Sequence, residues 1–233
     1  MKPLYLSQPV TDGLGTCLRP GGEVLTRRAM EYLDQEKKAR ILDAGCGRGG
    51  ALSLLSSWGV SVLGLDINPV LLTEAKNTGG QVAQADLAQL PLANASIDTV
   101  FCECVWNLTQ KEQVLREFYR VLCPAGFLVL SDIYFRRQGV GSREWPIQSC
   151  FSSATDLESV RAMVAGSGFE IILLEDHHQL FKQTAAEFVF AHGSLQGFWQ
   201  AVTGDTEIAD RICQASAATR PSLFLLIAKR SEQ

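Results

Sequence analysis

Residues 40–50, RILDAGCGRGG, constrain this chain more than any other stretch. Two apolar residues, Ile41 and Leu42, lead into Asp43, and glycines at 45, 47, 49 and 50 then punctuate the sequence before an apolar run opens at Ala51. That order predicts a short buried strand, a tight turn and the first turn of a helix. Glycine lets backbone pass close to a ligand, because a Cβ would fill the space that the ligand needs. The helix that follows turns its free N–H groups toward the same space. A small molecule with a polar or negatively charged group is therefore expected across this turn.

The remainder alternates in kind. The run 51–58 carries Ala51, Leu52, Leu54, Leu55 and Trp58 as one apolar helical face, stopped by Gly59. Residues 60–68 are mostly apolar, as a strand covered on both faces should be. Asn68-Pro69 supplies an N-cap and a first-turn proline for a helix bearing Val70, Leu71, Leu72 and Ala75. Further strands are predicted at 81–85, 97–104, 127–134, 169–174 and 222–230, and strand–helix alternation of this sort predicts a doubly wound, mostly parallel α/β sheet. Helices are expected at 23–38, after Thr109-Gln110-Lys111-Glu112 read as a capping box, after Thr155-Asp156, after Thr184-Ala185-Ala186-Glu187, and at 207–217. Residues 1–21 are read as irregular. The stretch 135–155 lacks periodicity and is long enough to predict a lid-like insertion.

At 233 residues the sequence fits one domain over 1–233, with 1–38 as an N-terminal arm and helix. A net charge of -4 gives no electrostatic grip on a nucleic acid backbone, so nucleic acid is not an expected partner. No apolar run approaches the ~20 residues of a membrane span, nor the pattern of a signal peptide, so the expected location is cytoplasmic. Seven cysteines, an odd number without a C-x-x-C pair, predict free thiols in a reducing compartment and no metal site. Nothing in the sequence sets the oligomeric state.

Gly45, Gly47 and Gly50 also satisfy G-x-G-x-x-G, so a dinucleotide site is one reading of the turn, and close packing of helix on strand is another. The residues around it add Asp66 and Asp86 at the ends of the second and third strands. D-x-G-x-G-x-G in this company resembles the first motif of class I S-adenosylmethionine-dependent methyltransferases. LDAGCGRGG, GLDINPVLLTEA, ADLAQLPLANASIDTV and LREFYRVLCPAGFLVLSD, in that order, resemble the type 11 group that includes the ubiquinone and menaquinone biosynthesis methyltransferases. The resemblance implies a seven-stranded Rossmann-like sheet of order 3-2-1-4-5-7-6, with strand 7 antiparallel. It implies S-adenosyl-L-methionine as cofactor and a small-molecule methyl acceptor. By the same resemblance, Asp43, Gly45, Cys46, Gly47 and Gly49 would hold the methionine end, Asp66 the ribose hydroxyls, Ile67 one side of the adenine, Asp86 and Leu87 its amino group and ring, and Cys104 the ammonium. Trp106 and Asn107 would face the acceptor.

A methyl group on a sulfonium is already activated, so placement and exclusion of water carry much of the chemistry. An acidic acceptor also needs a base, for which Glu103, Tyr134, His177, His178 and His192 are the candidates. Segments 1–22, 135–155 and 177–200 are expected to wall the acceptor pocket. Three alternatives remain: a domain that binds the cofactor without turnover, an NAD(P)-dependent oxidoreductase, and transfer to a metalloid held by cysteines such as Cys17, Cys46 or Cys150. The oxidoreductase explains neither Asp43 nor Asp86.

Overall fold

Alternation of apolar side chains along β1 (Arg40–Ala44) shows how the sheet is built: Leu42 faces one layer of helices and Ile41 the other. The computed structural model describes residues 3–33, 40–137 and 145–231. Residues 34–38 of the expected N-terminal helix and 138–144 of the lid-like insertion lie outside the described residues. Seven strands form one sheet: β1, β2 (Ser61–Asp66), β3 (Gln81–Gln84), β4 (Ile97–Glu103), β5 (Leu122–Phe135), β6 (Phe169–Asp176) and β7 (Pro221–Arg230). Their order is 3-2-1-4-5-7-6. Pairing is parallel from β3 through β5 and antiparallel where β7 meets β5 and β6. The order reverses between β1 and β4, and the crevice at the carboxyl ends of strands at such a switch point is where open α/β sheets bind ligands.

Helices cover both faces. On one, α5 (Lys111–Val121) and α6 (Leu157–Gly166) set Val114, Leu115, Phe118, Val160 and Val164 against Leu42, Val100, Leu128 and Leu226. On the other, α2 (Val24–Tyr32) and α3 (Gly50–Ser56) bring Leu25, Ala29, Leu52 and Leu55 onto Ile41, Val62, Phe101 and Val129. Full burial of each large side chain contributes about 1.5–3 kcal/mol. Between β2 and β3, α4 (Pro69–Lys76) starts as expected, with the Asn68 side chain accepting from Val70 N at 3.0 Å.

Several local expectations are corrected. The N-terminal segment is not irregular: α1 (Gln8–Leu14) forms there, followed by a 3₁₀ turn at Gly15–Cys17. Its Gly13 packs on Phe188, whose ring would lie 2.2 Å from an added Cβ. Trp58 lies beyond α3 and is 39% exposed rather than buried, with the Arg27 guanidinium 6.0 Å from its ring centroid. The capping box at 109–112 does not form. Gln110 occupies the N-cap without a side-chain bond, and the Thr109 hydroxyl instead donates to Trp106 O at 2.8 Å, within a 3₁₀ turn at Trp106–Leu108. Thr184 does not open a helix either. It lies within α7 (His178–His192), and a separate α8 (Leu195–Thr203) and α9 (Thr206–Thr219) follow. Within the described part of the insertion, Trp145, Ile147, Phe151 and Ala154 pack into a third apolar cluster, together with Phe198 and Trp199 of α8.

Candidate functional site

Past Asp43 the chain turns on Gly45 and Gly47. Gly45 N and Cys46 N donate to Leu65 O at 2.7 and 3.0 Å, which fixes the turn to the end of β2. Gly45 has φ 82, and an added Cβ would lie 2.5 Å from Val105. Gly47, at φ 53, is different, since a Cβ there would meet only Leu18 Cδ1 at 3.8 Å and otherwise face open space. Gly49 and Gly50 serve packing: their added Cβ atoms would lie 3.1 Å from Ala75 Cα and 3.0 Å from the Cys17 backbone. Thus the third glycine of the dinucleotide pattern admits the N-terminal arm, and Gly49, expected at the cofactor, lines α4 instead of the cavity. Cys46 is a small filler against Gly64, with its thiol pushed up by burial.

Asp66 holds the turn from the side. Its Oδ2 accepts from Gly47 N at 2.9 Å and its Oδ1 from Asn68 N at 2.8 Å. Asp86 Oδ1 accepts from Ala88 N at 2.9 Å, as a turn former would. Each carboxylate oxygen keeps a further lone pair for a ligand.

Beneath the turn lies a buried charged group that the sequence did not disclose. Arg19, from the arm, meets Glu103 Oε2 at 3.2 Å, and its Nη2 donates to Thr26 Oγ1 at 2.6 Å. Thr26 Oγ1 in turn lies 3.0 Å from both Glu103 oxygens. Asp43 is buried beside this group and takes the Leu52 backbone N–H as a partner. Burial first, and the nearby Glu103 second, push its carboxyl up to about 7 against the pull of Arg19. Asp43 Oδ2 and Arg19 Nε are both buried without a hydrogen-bond partner. The sequence offered one signal for Arg19: with Lys2 it is one of two cations in residues 1–22, a segment expected to wall the acceptor pocket.

These groups open into a cavity of about 720 Å³, a size typical of small-molecule sites. Asp43, Gly45, Cys46, Gly47, Asp66, Ile67, Asp86, Leu87, Glu103 and Cys104 all line it. So do Leu4, Val10 and Leu14 of the arm, 148–151 of the insertion, and Phe181, Phe188, Phe198 and Trp199 of α7 and α8, segments expected to wall the acceptor. Cys104, at φ 56, ends β4 with its N–H on Ser131 O at 2.7 Å.

Other candidates fall elsewhere. Trp106 and Asn107 turn inward rather than toward an acceptor. The indole is fully buried, and Asn107 is tied to the end of β5 through Asp132 Oδ2 at 2.9 Å and Ile133 O at 2.7 Å. Tyr134, His177, His178 and His192 are absent from the lining. Tyr134 is buried against Phe224, and desolvation with its bond to Asp176 pushes it up to about 12. His177 Nε2 pairs with Glu175 at 3.0 Å, His178 begins α7, and His192 packs on the Phe198 ring. Glu103 does line the cavity, but its charge is committed to Arg19 and Thr26. Burial also raises the Cys17, Cys104 and Cys150 thiols, which keeps them protonated. Among the described residues no three His, Cys, Asp or Glu side chains are grouped to hold a metal, and no helix is long and apolar enough to cross a membrane.

Residues 42–130 match the family model described as "Methyltransferase domain". The chain is 34% identical over 107 residues to malonyl-[acyl-carrier protein] O-methyltransferase of Enterobacter lignolyticus, a stretch covering 45% of this chain and 43% of that one. It spans about a third to a half of the length of the curated relatives it matches first. Among solved structures, phosphoethanolamine N-methyltransferase 2 of Haemonchus contortus, with phosphomonomethylethanolamine and S-adenosylhomocysteine, superposes with a TM-score of 0.76 at 19% identity, over 97% of this chain and 56% of that one. The [4+2]-cyclase SpnF superposes with a TM-score of 0.71 at 23% identity, over 90% and 81%. Residues 42–130 therefore match a methyltransferase domain, and the sheet that contains them has the Rossmann-like fold of these neighbours.

Proposed function

We propose that this chain transfers a methyl group from S-adenosylmethionine to a small-molecule acceptor. The observation that carries the proposal is the pair of orphaned buried atoms in the lining, Asp43 Oδ2 and Arg19 Nε. One is an acceptor and the other a donor, the complement of the ammonium and carboxylate of an α-amino acid. The residues fit the rest of the cofactor as well. Gly47 leaves open space at the turn, Asp66 would take the ribose hydroxyls, and Ile67, Asp86 and Leu87 would hold the adenine.

When bound, the cofactor supplies a methyl group on a positively charged sulfur, already activated for displacement. The chain's own residues bind, orient and exclude water. α1 and the following turn close the cavity from the arm side, with Gly21 N on Thr184 Oγ1 at 3.1 Å fastening the arm to α7. Glu103 is paired with Arg19 at 3.2 Å and acts by positioning that guanidinium. The acceptor therefore brings its own nucleophilicity.

Isothermal titration with S-adenosylmethionine, S-adenosylhomocysteine and NADH tests the cofactor. Saturable binding of the first two and none of NADH is expected, and NADH binding alone would overturn the assignment in favour of an oxidoreductase. Turnover is then sought with phenols, quinones and thiols. Binding without transfer to any acceptor would favour a regulatory or scaffold role.

A further inference from the structure

The two ends of the cavity differ in chemistry. Building on the methyl-transfer reading, we infer that the acceptor end selects an uncharged, largely apolar molecule with flat faces and rejects phosphorylated or carboxylated ones. Phe151, Phe181, Phe188, Phe198 and Trp199 form its wall. Their rings touch one another: Phe188 stacks on Phe198 at 4.1 Å, Phe198 meets Trp199 at 4.9 Å, and Phe151 stands edge-on to Trp199 at 6.2 Å and to Phe181 at 6.5 Å. Rings so arranged offer flat apolar faces to a flat guest.

Polar atoms at this end are few and partly committed. Thr184 Oγ1 accepts from Gly21 N at 3.1 Å and Ser149 Oγ from Phe151 N at 3.3 Å. Tyr5, Gln110 and Gln148 are left to orient one polar group of the acceptor. Among the described residues Arg19 is the lone cation of the lining, and Glu103 already neutralises it. An anionic acceptor would lose its hydration with no counter-charge in return, in a cavity that also holds Asp43, Asp66 and Asp86. The carboxylates sit at strand ends on the cofactor side, so an ammonium at the aromatic end would likewise be stripped of water without an ionic partner. A neutral ring or polyene pays neither cost.

The test is titration of the whole protein, with S-adenosylhomocysteine present, against 1-naphthol, 1-naphthyl phosphate and 1-naphthylmethylamine. Naphthol is expected to bind saturably, and the phosphate to bind at least about 30-fold more weakly. Phe188→Arg, which places a cation in the wall at a half-buried position, should narrow or reverse that ratio while S-adenosylhomocysteine still binds. Phosphate or amine binding as tight as naphthol, or binding of none of the three, would overturn the inference and leave the cofactor assignment standing. Failure of S-adenosylhomocysteine itself to bind would overturn both.

Discussion

Asp66→Ala removes a side chain whose observed role as a turn clasp and whose proposed role as ribose ligand can be measured separately. In the protein as it stands, the carboxylate accepts from Gly47 N at 2.9 Å and from Asn68 N at 2.8 Å, so it clasps the glycine turn to the start of α4. Losing a partly buried clasp of this kind costs about 1–3 kcal/mol of stability. For a domain of this size that corresponds to a fall in melting temperature of roughly 2–12 °C. If the carboxylate also takes the ribose hydroxyls, the charge-assisted bonds lost on binding are worth about 1.5–3 kcal/mol, or roughly 10- to 150-fold in Kd. Thermal unfolding reports the first quantity, and calorimetric titration with S-adenosylmethionine well below the melting temperature reports the second. Asp66→Asn keeps one acceptor oxygen for the turn but not the charge, and should recover part of the stability and less of the affinity. A variant that melts early yet binds with unchanged affinity would refute the ribose assignment and leave Asp66 as a turn clasp alone.

Gly47→Val should keep the fold at a cost of about 1–2 kcal/mol for a side chain in the left-handed region, yet abolish S-adenosylmethionine binding, because its Cβ points into the open space of the turn. Normal binding, read by the same titration, would mean that the turn does not face the ligand. Glu103→Gln should destabilise by about 3–5 kcal/mol, because it strands the buried Arg19 guanidinium, and denaturant unfolding measures this. An effect confined to turnover would instead mark Glu103 as a base. Asp43 and Asp132, both held up at about 7, ionise well above their unfolded value near 3.8. Between those limits the folded state binds more protons than the unfolded one, so stability should fall as pH rises from about 4 toward 7, with each group contributing up to about 1.4 kcal/mol per pH unit. Urea titrations at pH 5 and pH 8 give that slope, and Asp43→Asn should remove its own share.

The sheet was legible because its strands carry two independent signatures: apolar runs that lead to Asp43 and Asp66, and helix starts such as Asn68-Pro69. Errors gathered where one signature was read without the other. Thr184-x-x-Glu187 has the form of a capping box, but Leu180 and Phe181 already lie on the same helix and extend it back to His178. Gly13, in the segment read as irregular, marks a place where α1 approaches Phe188 too closely for any side chain. The Gly13 contact cannot be read locally, because Phe188 lies more than 150 positions further along the chain.

The same contrast runs through the site. At the cofactor end one short stretch supplies most of the chemistry, since the turn must place backbone N–H groups and a strand-end carboxylate within a few ångströms of each other, and contiguous sequence does that most directly. The acceptor end is assembled from α1, residues 148–151, α7 and α8, none of which touches a ligand through a repeated local pattern. Arg19 shows what joins the two. It comes from the arm that covers the acceptor end, yet its guanidinium is neutralised by Glu103 at the tip of β4, beside Asp43. Closing the arm therefore completes the charge balance at the cofactor end, so a loosened arm should weaken cofactor binding as well as acceptor binding. Arg19→Met makes that coupling measurable. It should cost affinity for S-adenosylhomocysteine by removing the donor, and it should raise the Asp43 pKa further by removing the one cation that opposes burial. Binding of S-adenosylhomocysteine to the variant should then strengthen as pH rises past neutrality more steeply than in the unsubstituted protein, and an unchanged pH profile would uncouple the arm from the turn.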